Sequence, residues 1–242
     1  MNNLEKIIIN DYKKSIIYKL IIPYIGLGIF IFSVNRFEYN FFELLNYVSC
    51  NPFIIIAFLI PSILSSIIYI EKKYFNNYNI LIRLNKKEII KSNLKLIFYI
   101  VSNIFIILLI LSIIFTIIFS NRNFNITNNY IYNIPNTIIL FIDLFKIYLF
   151  SIILGILTSY LTNKKAYIIT TITVIIIISF IDILPNYILI FLPGYYISRL
   201  TEFSSITTNI IYSSLYIIIN FILVFSIYLL KWKKDILFER SN

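Results

Sequence analysis

The chain has no histidine, a single cysteine (Cys50) and four glycines, at positions 26, 28, 155 and 194. Each scarcity closes off a class of chemistry. Without histidine there is no imidazole to act as general base and no imidazole ligand for a metal. One cysteine permits neither an internal disulfide nor a cysteine metal site. Four scattered glycines leave no G-x-x-x-x-G-K-[ST] loop, so the chain cannot cradle the phosphates of ATP by that device. The eleven acids are dispersed rather than clustered, and a membrane protease or lipid hydrolase would need His or grouped carboxylates. The reading is therefore of a chain that is not an enzyme. Charged residues are also scarce, 13% of 242, where a soluble domain carries about a quarter. The first apolar stretch is too long for a cleavable signal peptide and lacks a small-residue cleavage site.

What the chain has instead is 60% hydrophobic residues. Its richness in Ile, Asn, Lys, Phe and Tyr is also what a base-biased genome produces, so the 20 Tyr and 22 Phe are not read as a ligand signal. A bilayer core is crossed by about 20 apolar residues in a helix. Six stretches qualify: 16–34, 52–70, 96–120, 137–162, 166–184 and 209–230. The second, third and sixth carry no charge. Pro23, Gly26 and Gly28 in the first and Pro61 in the second are tolerated in lipid but kink a helix. The expected fold is an all-α integral membrane protein forming one domain over 1–242.

The 21 Lys and Arg sort by loop. Seventeen lie before span one, between spans two and three, between four and five, or after six, and three (Arg36, Arg122, Arg199) lie in the other loops. Lys146 is inside span four. That bias places both termini in the cytoplasm. It also assigns the net charge of +10 to a membrane face rather than to nucleic acid.

Three segments do not fit simple spans. In "MNNLEKIIINDYKKSIIYK", Leu4, Ile7, Ile8 and Tyr12 recur at helical spacing, with Glu5, Lys6, Lys13 and Lys14 largely opposite. This predicts an interfacial helix before span one, with an early start of that span as the alternative. In "EKKYFNNYNILIRLNKKEIIKS", Tyr74, Phe75, Tyr78, Leu81 and Ile82 share a face of a helix over 74–84, opposite Asn76, Asn79 and Arg83. Asn85-Lys86-Lys87-Glu88 is a capping-box pattern that opens a new helix running into span three. The plainer reading is a solvated topogenic loop. In "DILPNYILIFLPGYYISRLTEFSS", Pro185, Pro193 and Gly194 interrupt an apolar run, which suits a re-entrant or interfacial hairpin; the alternative is that span five continues to Leu192.

Taken in order, these features resemble the permease subunits of type-2 ABC exporters. That family has an elbow helix before span one, a cytoplasmic coupling helix between spans two and three, and a re-entrant outer element between five and six. The closest local likeness is Glu71-Lys72-Lys73 followed by "ILIRLNKKEIIKSNLK". Families of this kind often carry a Gly-Thr pair soon after the Glu; Asn76-Asn77 stand here instead. The resemblance implies an ATPase-coupling surface containing Glu71, Tyr74, Tyr78, Leu81, Arg83, Lys86 and Lys87. It also implies a separate cytoplasmic ABC ATPase subunit that holds ATP and Mg, a second or paralogous permease, and a bacterial cell membrane as surroundings. Its implied cargo is a hydrophobic or amphipathic antimicrobial peptide such as a bacteriocin. The alternative function is a non-transporting six-span protein that binds a ligand or sequesters a toxin.

Two charges lie inside a span. Asp143 and Lys146, at i and i+3, can share a helix face. Such residues are costly in lipid and face protein or water. They are a candidate gating contact or a mutually neutralised pair. Asp182 is read as a solvated boundary residue.

Overall fold

The computed structural model describes residues 3–15, 25–26, 40–50, 54–75, 86–119, 126, 134–162 and scattered positions from 207 to 229. Every element among these residues is helical. Helix α1 is Asn3–Ser15, α2 is Phe41–Ser49, α3 is Ile60–Ile70, α4 is Lys86–Phe119 and α5 is Asn136–Leu161. Span one except 25–26, span five, the proline-bounded segment and the stretch 76–85 lie outside the described residues. So does Asp182.

Helix α3 is extended at both ends by π-helical turns, Ile55–Leu59 before it and Glu71–Phe75 after it. The first turn has a local cause. Pro61 at the start of α3 has no N–H to donate and its ring crowds the preceding turn. The ladder widens, and the Ile60 N–H bonds back to the Ile55 carbonyl, five residues away. The π turn thus lies immediately before Pro61, where a disturbance of the helix was expected. At the far end the Glu71 N–H reaches the carbonyls of both Ile67 and Ile68, and the second π turn follows.

Asn85, the expected cap, lies outside the described residues, and the described part of α4 begins at Lys86. Its 34 residues make a rod of about 50 Å at 1.5 Å per residue, longer than a bilayer core. Helix α5 starts and ends within one residue of the expected span. Two helical stretches, Lys87–Ile118 and Asn136–Tyr160, are long and apolar enough to cross a membrane.

Helices α3, α4 and α5 pack on one another, and α2 packs on α4 and α5. The core runs through Ile60, Ile63 and Ile67 of α3 and Ile97, Val101 and Ile104 of α4. Gly155 permits the closest approach. A β-carbon there would lie 2.9 Å from Ile97 Cγ2 and 3.1 Å from both Ile67 Cδ1 and Val101 Cγ2. Small residues let apolar helices close up where water supplies no driving force. Buried hydroxyls in these helices turn back on their own backbones: Ser151 to the Ile147 carbonyl, Thr158 to Leu154 and Thr116 to Ser112, all at 2.7 Å.

Away from the core, α4 exposes Ile106, Ile110, Ile113 and Ile117, spaced at four, three and four residues. Helix α5 exposes Ile138, Phe141 (72% exposed) and Phe145. A continuous apolar stripe of this kind is foreign to a water-facing surface.

One expectation needs correction. Glu5 does not lie on the outer side of α1. It is 4% exposed and shares the inward face with Ile8 and Tyr12, while Ile7 is 58% exposed. The helix is rotated because Glu5 has buried partners to reach.

The close approach at Gly155 yields a paired prediction. Gly155→Val should lower unfolding stability by about 1–3 kcal/mol through overpacking. At Gly26 an added β-carbon meets nothing within 4 Å, so Gly26→Ala should stay within about 0.5 kcal/mol of wild type. Thermal unfolding of the purified protein in one detergent measures both.

Candidate functional site

The bundle end that bears most lysines is formed by the last turns of α3, the first turns of α4 and the last turns of α5. Helix α1 lies against α3 and α4. Three carboxylates hold this end.

Glu71 is the innermost, at 1% exposure. Its Oε1 accepts from Asn93 Nδ2 of α4 at 2.8 Å and from Ser159 Oγ of α5. One carboxylate oxygen thereby joins three helices whose residues are 22 and 88 positions apart. It stands at the first position of the second π turn, immediately before the stretch 76–85. π turns recur where a helix re-aims a side chain, and here the turn carries both Glu71 and Tyr74.

Asp11 of α1 grips the other side of that turn. Its Oδ2 accepts from Lys73 Nζ at 2.7 Å, Tyr74 OH at 2.8 Å and Tyr69 OH at 3.0 Å. Lys73 also donates to Tyr69 OH at 3.0 Å, and its ammonium lies over the rings of Tyr69 and Tyr74. The Lys73 and Tyr74 hydrogen bonds hold the Asp11 carboxyl below its ordinary value against a small desolvation effect. The Asp11 and Tyr69 hydrogen bonds push the Lys73 ammonium up. Burial, followed by the hydrogen bond to Asp11, raises the Tyr74 phenol.

Glu5, one helical face further along α1, accepts from Ser92 Oγ of α4 at 3.0 Å, with Lys95 Nζ at 3.9 Å. Ile8, between Glu5 and Asp11, and Tyr12, just after Asp11, enter the core. Burial drives the Tyr12 phenol up to about 12. Helix α1 is therefore fixed at one point to α4 and at another to the π turn after α3.

A second polar seam runs between α2 and α5 at the opposite end. Asn136 Nδ2 donates to Glu43 Oε1 at 2.7 Å, and Asn46 Nδ2 donates to Asp143 Oδ2 at 3.3 Å. Asp143 and Lys146 are each 4% exposed.

Of the residues expected on the sequence, Glu71 and Tyr74 come together on one turn, gripped from its two sides. Lys86 opens α4, and Lys87 is exposed beside Glu88. Tyr78, Leu81 and Arg83 lie outside the described residues. Asp143 and Lys146 share α5, far from the lysine-rich end. The partners Asp11, Glu5, Asn93, Ser159 and Asn46 were not expected; a polar residue on the inward side of an otherwise apolar helix is the signal that marks them. Among the described residues no group of three or more His, Cys, Asp or Glu could hold a metal ion.

Known protein families, curated proteins and solved structures offer no match to this chain.

The Asp11 contacts make a signed pH prediction. A depressed carboxyl contributes stability above its unfolded value, near 3.9, and loses it as pH falls through the folded value. A raised ammonium contributes below about 10.4 and loses it as pH rises through the folded value. Docking of α1 should thus be constant from about pH 4 to about pH 10 and weaken on either side. Hydrogen exchange of α1 amides, corrected for intrinsic rates, should show this plateau. Asp11→Asn should reduce protection about two- to fivefold at neutral pH and abolish the acid step. An unchanged acid step in that variant would assign it to another group.

Proposed function

We propose that the chain is the membrane-spanning permease subunit of an ATP-driven exporter of the type-2 ABC kind, set in a bacterial cell membrane. The observation that carries this reading is the double grip on the turn Glu71–Phe75. Glu71 ties it to α4 and α5, and Asp11 ties it to α1. A stretch that only marked topology would have no use for so firm a stem. A stretch that receives force from a partner needs one, because a push on a loose loop is dissipated in the loop.

Two apolar helices long enough to cross a membrane and the exposed Ile and Phe stripes of α4 and α5 support the membrane setting. The loop bias of Lys and Arg supports six spans with both termini in the cytoplasm. On this reading α1 lies along the inner interface with Ile7 toward lipid. The segment after the stem, 76–84, docks on a separate ATPase that binds ATP and Mg, while Tyr74 and Phe75 are buried in the stem itself. Closure of two ATPases pushes on two such stems, one on each permease copy. The spans then rock as near-rigid bodies, because the stem is bonded to three of the helices. The cargo is a hydrophobic or amphipathic compound, with an antimicrobial peptide the class the resemblance favours.

The docking surface is tested by Tyr78→Ala with Arg83→Ala. Removing an aromatic anchor and a planar cation from an interface costs about 2 kcal/mol or more, so co-purification of the ATPase should fall at least tenfold, or hydrolysis should uncouple from transport. Assembly and transport at wild-type levels would reduce the segment to a topology signal and favour a protein that binds its ligand without moving it. External thiol labelling of Lys87→Cys in intact cells should fail while Asn128→Cys labels; the reverse would overturn the topology.

A further inference from the structure

The α2–α5 seam contains a group that the coupling end leaves unexplained. Asp143 is buried to 4% exposure. Oδ2 accepts from Asn46 at a long 3.3 Å, while Oδ1 receives no hydrogen bond among the described residues. Lys146, one turn along α5, is near enough for its charge to act on Asp143, yet it does not donate to Oδ1. A buried carboxylate oxygen without a donor is costly, and a low-dielectric setting sharpens its demand for one. Glu43 and Asn136 bond across the α2–α5 seam at the first turn of α5. Asp143 lies seven residues further along, about 10 Å deeper.

We infer that Asp143 Oδ1 is the binding point for a hydrogen-bond-donating cation, the ammonium or guanidinium of an amphipathic ligand reaching down the α2–α5 seam. An open carboxylate lone pair selects an N–H donor over an equally charged group that has none. Lys146 acts on Asp143 through its charge, and Leu140 and Ile147, a turn to either side of Asp143 on α5, are apolar and suit the ligand's tail. The ammonium could come from a lipid headgroup or from a free amphipath, and the test separates the two. The inference rests on the chain being a membrane protein that meets amphipathic ligands. Its test uses the chain alone, so failure to bind an ammonium and failure to recruit an ATPase are distinct results.

The full chain in phosphatidylcholine nanodiscs, whose headgroups have no N–H, is titrated calorimetrically with dodecylammonium and with dodecyltrimethylammonium. These probes share tail and charge and differ in N–H donors. Wild type should prefer the primary ammonium roughly tenfold, the effect of one charge-assisted hydrogen bond, and Asp143→Asn should erase the preference. The neutral pair Asp143→Asn with Lys146→Gln, which leaves no unpaired buried charge, gives the same comparison where the single variant does not fold. In discs containing phosphatidylethanolamine, loss of the wild-type preference would identify the lipid headgroup as occupant, and persistence would identify a free ligand. No preference in wild type, or an equal preference in wild type and the double variant, overturns the inference.

Discussion

The buried Glu71 carboxylate is the constraint on which the lysine-rich end depends. A carboxylate with almost no exposure is tolerable only when donors surround it, and those donors come from two other helices, Asn93 on α4 and Ser159 on α5. Their demand fixes the relative rotation of three helices whose apolar faces would pack acceptably in several registers. In a setting without water between helices, such polar contacts decide the register while close packing, as at Gly155, supplies the cohesion. The Asp11 contacts of α1 reach the same turn, and its Glu5 contact reaches Ser92 of α4.

The two ends of the bundle use carboxylates in opposite ways. Glu71, Asp11 and Glu5 collect donors, which makes a rigid platform next to the segment proposed to meet an ATPase. Asp143 at the other end is short of donors, and its long bond to Asn46 leaves an oxygen open. The proposed coupling role and the inferred ligand point would suit this asymmetry: rigidity beside the segment proposed to meet a partner and an open oxygen at the other end.

Much of the scaffold was legible because it depends on local pattern. The run lengths of apolar residues locate α4 and α5. Pro61 announced a disturbance, and a π turn stands directly before it. Helix α2 was missed because its nine residues are too few to read as a span and Pro52 follows closely. The rotation of α1 was missed for a different reason. Periodicity assumes that charges face out, and Glu5 faces in because Ser92, 87 positions away, is there to meet it. Likewise Glu71 could be singled out from its place at the end of a span, but its pairing with Asn93 and Ser159 could not, since no spacing rule connects them to it.

The claim that the platform is one bonded unit is most directly tested by a double-mutant cycle on Glu71→Ala and Ser159→Ala, with unfolding free energy as the readout. Residues joined in one hydrogen-bond network couple by about 0.5–3 kcal/mol, whereas independent sites add to within about 0.3–0.5 kcal/mol. A coupling of about 1 kcal/mol or more is the expected result. Additivity would mean that Glu71 does not hold α3 to α5, and the rigid stem would lose its physical basis.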